Sequence, residues 1–153
     1  VLFLVAPGPL KLNFVKEGLN HYLKLLYRWQ KVETRIPHIK GSFRSKEERI
    51  RAEAEVLRDS IPKGSYLVVL DEKGVALRTN DLANFLENQL LQGKKLTFLV
   101  GGPEGLSEDL KNSANFLWKL SDLTLNHELV LLIVAEALFR AISILRGHPY
   151  HRD

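Results

Sequence analysis

A chain of 153 residues, 45% hydrophobic and 26% charged, is long enough to bury one real core, and this composition excludes a disordered or fibrous protein. The absence of cysteine excludes disulfides and thiolate metal sites and fits a cytosolic home. A formal net charge of +4 is compatible with an RNA partner but does not require one.

Along the chain, strand and helix signals alternate. The apolar run Val1–Ala6 predicts a strand stopped by Pro7-Gly8-Pro9; it is too short, and lacks the basic flank, for a signal peptide. Val15, Leu19, Tyr22, Leu25, Leu26 and Trp29 recur at helical spacing, predicting a helix over residues 14–29. Val32–Ile36 predicts a second strand, broken at Pro37. Residues 45–60 predict an exposed amphipathic helix with Ile50, Ala54 and Leu57 on its apolar face. Tyr66–Leu70 predicts a buried strand, ended by a polar turn at Asp71-Glu72-Lys73-Gly74.

Residues 80–91 predict a helix with Asn80 or Thr79 as N-cap and Gly93 as its stop. Leu96–Val100 predicts another buried strand, followed by Gly101-Gly102-Pro103-Glu104-Gly105. Residues 107–117 predict a short helix capped by Ser107, and Leu120–Leu125 a short strand or extended loop. Residues 129–145 are mostly apolar, but Glu136, Arg140 and Ser143 recur at i, i+4, i+7 as one thin polar stripe. That pattern predicts a soluble helix buried nearly all round, with Glu136 paired to Arg140, and no membrane span. The alternation predicts a single domain over residues 1–153, an α/β fold around a mostly parallel sheet with helices on both faces. Neither repeats nor a linker divide it. Strand order and chain threading are beyond what periodicity supplies.

Several segments carry groups suited to chemistry. Glycines in the 101–105 loop let backbone approach a ligand at the carboxyl end of a strand, where open α/β sheets bind ligands. The loop is neither a P-loop nor a G-x-G-x-x-G dinucleotide loop, which argues against an unknotted nucleotide-binding enzyme. Leu70 ends the other central strand. Leu120-Ser121-Asp122-Leu123-Thr124-Leu125 can offer backbone polar groups to an adenine edge between leucines. Arg35, His38, Lys40, Arg44, Lys46, Arg49 and Arg51, with Phe43 among them, suit RNA phosphates and a stacked base; Lys11, Lys16, Lys24, Arg28 and Lys31 form a second basic set. His127 reads as a capping or packing residue. The tail His148-Pro149-Tyr150-His151-Arg152-Asp153 concentrates proton-transfer and anion-binding groups. No cluster of acidic residues and histidines suggests a metal.

Three of these stretches together resemble one family. They are Leu99-Val100-Gly101-Gly102-Pro103-Glu104-Gly105-Leu106, Leu120 to His127, and Val134-Ala135-Glu136-Ala137-Leu138-Phe139-Arg140-Ala141 leading to His148-Pro149-Tyr150-His151-Arg152. The chain resembles, over essentially its whole length, the large-subunit ribosomal RNA methyltransferase H family, a minimal group of the SPOUT methyltransferases. Where that family's pattern often has proline, arginine and tyrosine, this chain has Asn126, Leu131 and Phe139.

The resemblance implies a C-terminal trefoil knot, a homodimer and S-adenosylmethionine as cofactor. It implies methylation of N3 of a pseudouridine in 23S rRNA on the ribosome, in the cytoplasm. The cofactor would be held by Leu70, Gly101 and Leu120, Ser121, Asp122, Leu123, Thr124 and Leu125. Tyr150, His151 and Arg152 would lie near the methyl donor and complete the partner's site, with His151 as base or proton relay. A non-catalytic RNA-binding dimer of the same fold is the alternative that the intact glycine loop and tail argue against.

Overall fold

The computed structural model describes residues 1–152; Asp153, the last residue of the tail, lies outside them. In chain order the elements are β1 (Leu2–Val5), α1 (Asn13–Tyr27), β2 (Val32–Arg35), α2 (Lys46–Ser60), β3 (Tyr66–Ala76), α3 (Thr79–Leu91), β4 (Leu96–Leu99), α4 (Glu108–Asn112), β5 (Phe116–Lys119) and α5 (His127–Leu145). All strand pairs are parallel, in the order β2-β1-β4-β3-β5.

Inner parallel strands need both faces covered, so β1, β4 and the first half of β3 read as nearly continuous apolar runs. The alternation of side chains then sorts them between two cores. Leu2, Leu4, Val68, Leu96 and Phe98 meet α1, α3 and α5 through Leu19, Leu26, Leu82, Leu86, Leu131, Val134 and Leu138. Phe3, Val5, Leu67, Val69 and Leu99 meet α2 and α4 through Ala54, Leu57 and Leu110. Helices thus cover both faces, as the sequence predicts.

Four local expectations need correction. Asp71–Gly74 does not end its strand. Leu70 and Val75 both pair with Trp118, so residues 71–74 are an excursion inside β3, which then resumes. Gly74 permits it: a Cβ there would stand 2.5 Å from the backbone of Leu117. Next, the helix predicted over 107–117 stops at Asn112, and Phe116–Leu117 belong to β5. Ser113 turns its N–H and hydroxyl back onto Leu110 O, and Asn115 latches onto β3 by accepting from Leu67 N–H at 2.8 Å and donating its own N–H to Leu67 O. Residues 120–125 are accordingly loop.

The N-cap of α3 is Arg78 rather than Thr79 or Asn80; Asp81 accepts the Arg78 N–H at 3.0 Å. Finally, α2 buries a charge: Glu53 is 3% exposed beside Ala54 and Leu57, while Ile50 is only half-buried. Ser45 and Ser107 cap α2 and α4 through their hydroxyls, and Gly93 follows α3 at φ +69°.

The α1 helix lacks a local cap: Leu12 precedes it without a side-chain hydrogen bond. Its cap comes from α5 instead. Both Glu128 oxygens accept from Lys11 N–H (3.1 and 3.0 Å), and Oε1 also accepts from Leu12 N–H at 3.0 Å. Close packing supports the tie, since a Cβ on Gly18 of α1 would meet Leu132 of α5 at 2.8 Å. Among the described residues no helix is long and apolar enough to cross a membrane.

Candidate active site

A cavity of about 350 Å³ opens at the carboxyl ends of the central strands. The loop after β4 forms one wall through Val100, Gly101, Gly102, Pro103, Gly105 and Leu106. Leu70, Asp71 and Glu72 enter from the excursion in β3. Trp118 and Lys119 close it from β5, and Leu120, Ser121, Leu123, Thr124 and Leu125 form the outer wall. His127 and Val130 at the start of α5, with Lys111 of α4, complete the rim. The walls are mainly apolar with a few polar groups, the usual make-up of a small-molecule site.

The geometry of the walls follows from small residues. A Cβ on Gly101 would stand 2.8 Å from Cγ of Leu106, so the loop folds flat against its own leucine. Gly105 takes φ +85°, and its N–H closes the turn onto Gly102 O at 3.0 Å. On the outer wall, Ser121 Oγ accepts from Leu123 N–H at 2.9 Å, and the exposed Leu123 lines the cavity there.

Of the eight residues predicted to bind a cofactor, seven line this cavity. Asp122 does not. It is exposed and paired with Lys119 at 2.7 Å, and that hydrogen bond holds its carboxyl below the ordinary range. Sequence reasoning missed Asp71 and Lys111, which form an ion pair at 3.8 Å at the rim, with the Asp71 side chain only 8% exposed. They lie on different elements, and the polar run at 71–74 signals a turn, so nothing local marks the pair. His127, whose sequence position suggests a capping or packing role, lines the cavity 3.8 Å from Glu128, and Asn126 caps α5 instead.

The tail residues gather elsewhere, around Arg140 of α5. Tyr150 packs edge-on against Phe139 (4.6 Å between centroids) and under the Arg140 guanidinium at 4.8 Å. Phe139 in turn stacks on Trp29 at 5.5 Å, and Trp29 meets His148 at 5.0 Å. His151 Nδ1 lies 3.2 Å from Arg140 Nη1, and Arg140 Nε donates to Glu136 at 2.8 Å, as predicted for that pair. Burial and a hydrogen bond with Tyr22 push the Tyr150 phenol up to about 12, so it stays neutral. Arg152 is exposed. Arg140 stands about 20 Å along α5 from His127, at 1.5 Å per residue. Within one chain, therefore, Tyr150, His151 and Arg152 do not meet the cavity. Leu131, where the resembled pattern has arginine, is fully buried against the sheet.

The basic stretch divides. Arg44, Lys46 and Arg49, with Phe43, line a second groove closed by Glu104. Arg35 instead covers the Phe3 ring at 4.9 Å and donates to Ser60 O and Glu33. Among the described residues no group of three His, Cys, Asp or Glu side chains could hold a metal ion.

Comparison with known proteins agrees with this architecture. Residues 2–151 match the family model described as "Predicted SPOUT methyltransferase". The chain is 41% identical over 149 residues to the ribosomal RNA large subunit methyltransferase H of Thermotoga neapolitana, covering 97% of each. It is 41% identical over 154 residues to the protein of that name from Dechloromonas aromatica, covering 99% of this chain and 98% of the relative. Among solved structures, the tRNA (m1G37) methyltransferase of Aquifex aeolicus superposes with a TM-score of 0.59 at 18% identity, over 100% of this chain and 75% of that one. A putative RNA methyltransferase from Bacillus anthracis gives 0.57 at 13%, over 98% and 97%. With the family model matched over residues 2–151 and 41% identity to relatives across nearly their whole length, the chain belongs to the SPOUT methyltransferases, in the family of ribosomal RNA large subunit methyltransferase H.

Proposed function

We propose that this protein methylates N3 of a pseudouridine in 23S rRNA on the ribosome, using S-adenosylmethionine, and that it acts in the cytoplasm as a homodimer whose C-terminal segment is knotted. One observation carries the reading. The strand-end cavity has the size and make-up of a cofactor site, while the tail gathers around Arg140, about 20 Å along α5 from the cavity's His127. Two copies, each lending its tail to the other's cavity, reconcile the two. Phe14 of α1 and Ile133 of α5 are exposed apolar side chains on helices that pack together, which suits an interface across that pair.

The residues present fit S-adenosylmethionine. Leu70, Leu120 and Leu125 supply apolar walls for an adenine, and backbone groups along 120–125 supply its polar edge. Gly101 keeps the opposite wall free of side chain, and Asp71 and Lys111 present both charges to a zwitterionic tail. The cofactor supplies a methyl group made electrophilic by a sulfonium.

The protein must do the rest: hold the base in line and accept or compensate the N3 proton. Positioning can supply roughly 7–11 kcal/mol at its limit, and a base about 10²–10⁴-fold. His151 is the proton acceptor in this scheme. It acts once its Nδ1 is released from Arg140, because arginine has only protons to give. Arg152, exposed and always charged, stabilises the developing imide anion or a phosphate. Tyr150, neutral, stacks on or hydrogen-bonds the target base.

The test incubates the protein and labelled S-adenosylmethionine with ribosomes that lack the modification, then maps the product. Label at N3 of a pseudouridine in 23S rRNA is expected. Label on another nucleotide, or none with the cofactor bound, overturns the reading.

A further inference from the structure

The Gly101–Gly105 loop has two sides. One lines the cofactor cavity; the other, through Glu104, closes the groove formed by the 41–46 loop and the start of α2. That groove is polar and unbalanced in charge, with Arg44, Lys46 and Arg49 against Glu104. The Lys46–Glu104 pair is loose, at 3.9 Å with both side chains exposed, and such a pair contributes little.

Arg49 is the fixed point of the groove. Its Nε donates to Glu53 Oε2 at 2.9 Å, and Glu53 is buried, so the guanidinium is held in one orientation. Its two terminal nitrogens have no hydrogen-bond partner among the described residues. Glu53 also reaches the shared loop: its other oxygen is buried without a partner and lies 3.1 Å from where a Cβ on Gly102 would be. Half-buried Phe43 stands beside the cations.

We infer that this groove docks a phosphodiester of the substrate RNA strand, with Arg44, Lys46 and Arg49 as its ligands and Phe43 against a neighbouring base. This rests on the reading of the protein as an RNA methyltransferase and names where its substrate is gripped. A guanidinium fork pre-set by a buried carboxylate matches phosphate geometry, and cations interleaved with an aromatic suit a nucleotide strand. The groove is one loop away from the cavity. A strand presenting its target base at the cavity passes the same loop that closes the groove.

The experiment measures methyl transfer to unmodified ribosomes over a range of salt, with S-adenosylmethionine affinity followed by calorimetry. It compares wild type, Arg44→Ala/Lys46→Ala, Arg49→Lys, and Arg58→Ala/Lys63→Ala near the far end of α2. Arg44→Ala/Lys46→Ala should raise KM for ribosomes about tenfold and flatten the salt dependence by roughly 0.7–0.9 in log–log slope per lost phosphate contact. Cofactor affinity and kcat should hold. Arg49→Lys, which keeps the charge and loses the fork, should give a smaller rise in KM, and the Arg58→Ala/Lys63→Ala control should match wild type. An unchanged KM and slope in Arg44→Ala/Lys46→Ala, an equal rise in the control, or a loss confined to cofactor affinity overturns the groove. A wild-type protein that binds cofactor and methylates no RNA overturns the reading beneath it instead.

Discussion

The Arg140 guanidinium donates to Nδ1 of His151 across 3.2 Å, which puts the imidazole proton on Nε2 and occupies the nitrogen that would accept another. The same arginine covers Tyr150 and is itself tied to Glu136. Arg140 is thus the clasp of the tail. Arg140→Met should loosen the tail and lower methyl transfer about 10–100-fold, since Arg140 sets the tail's position before His151 leaves it to take the proton. S-adenosylmethionine affinity should stay within about twofold. Removing residues 150–153 should abolish transfer with the cofactor still bound. Calorimetry and a ribosome methylation assay on the two variants check this; full activity of the truncated protein would remove the tail from the mechanism.

Gly101→Val should act on the other half of the site. The new side chain meets Leu106, a wall of the cavity, at 2.8 Å for its first carbon. Overpacking of this kind costs roughly 1–3 kcal/mol, equivalent to about 5–150-fold in affinity. The expected result is weaker S-adenosylmethionine binding by calorimetry with little change in ribosome binding.

Glu128 gives a pH-dependent contribution to stability. Burial alone would raise its carboxyl, but hydrogen bonds from Leu12 and Lys11 N–H, helped by the charges of His127 and Lys16, hold it below its ordinary value. A depressed carboxyl stabilises the fold above the unfolded-state value, near 4.5, and that contribution disappears as pH falls through the folded-state value. Glu128→Gln should cost about 2–3 kcal/mol at pH 7 and less at pH 3. Urea unfolding at several pH values reads this directly; parallel curves for wild type and variant would rule out the tie as a charged cap.

Tyr150 predicts the opposite limb. Its phenol ionises at about 12 because it is buried and bonded to Tyr22. As pH rises from 10 towards 12 the unfolded chain loses that proton first, so stability falls across this window. Absorbance titration should show a late tyrosine, moved down towards 10 by Tyr22→Phe. A late group that persists in Tyr150→Phe would belong to another residue.

Much of this was legible from local pattern, because apolar runs and caps act over a few residues. The alternation of elements, the Ser107 cap and the Glu136–Arg140 pair follow from such rules, whereas the wall residues of the cavity are assigned through the family resemblance. Failures came where distant chain decides. Residues 71–74 look like a turn, and only Trp118 pairing with both Leu70 and Val75 shows the strand resuming. Phe116 and Leu117 continue a helical period until Asn115 latches onto Leu67. Glu53 reads as a solvent charge until Arg49 and the neighbouring Gly102 are placed beside it.

The cap that α5 provides to α1 bears on how the chain acquires its shape. The opening helix receives its terminal hydrogen bonds from Glu128, and the first strand lies against β4, whose first residue is Leu96. Neither half can finish alone, so a chain emerging from its own ribosome stays incomplete until α5 is out. Pairings this remote in sequence make folding slow and leave apolar strands uncovered meanwhile.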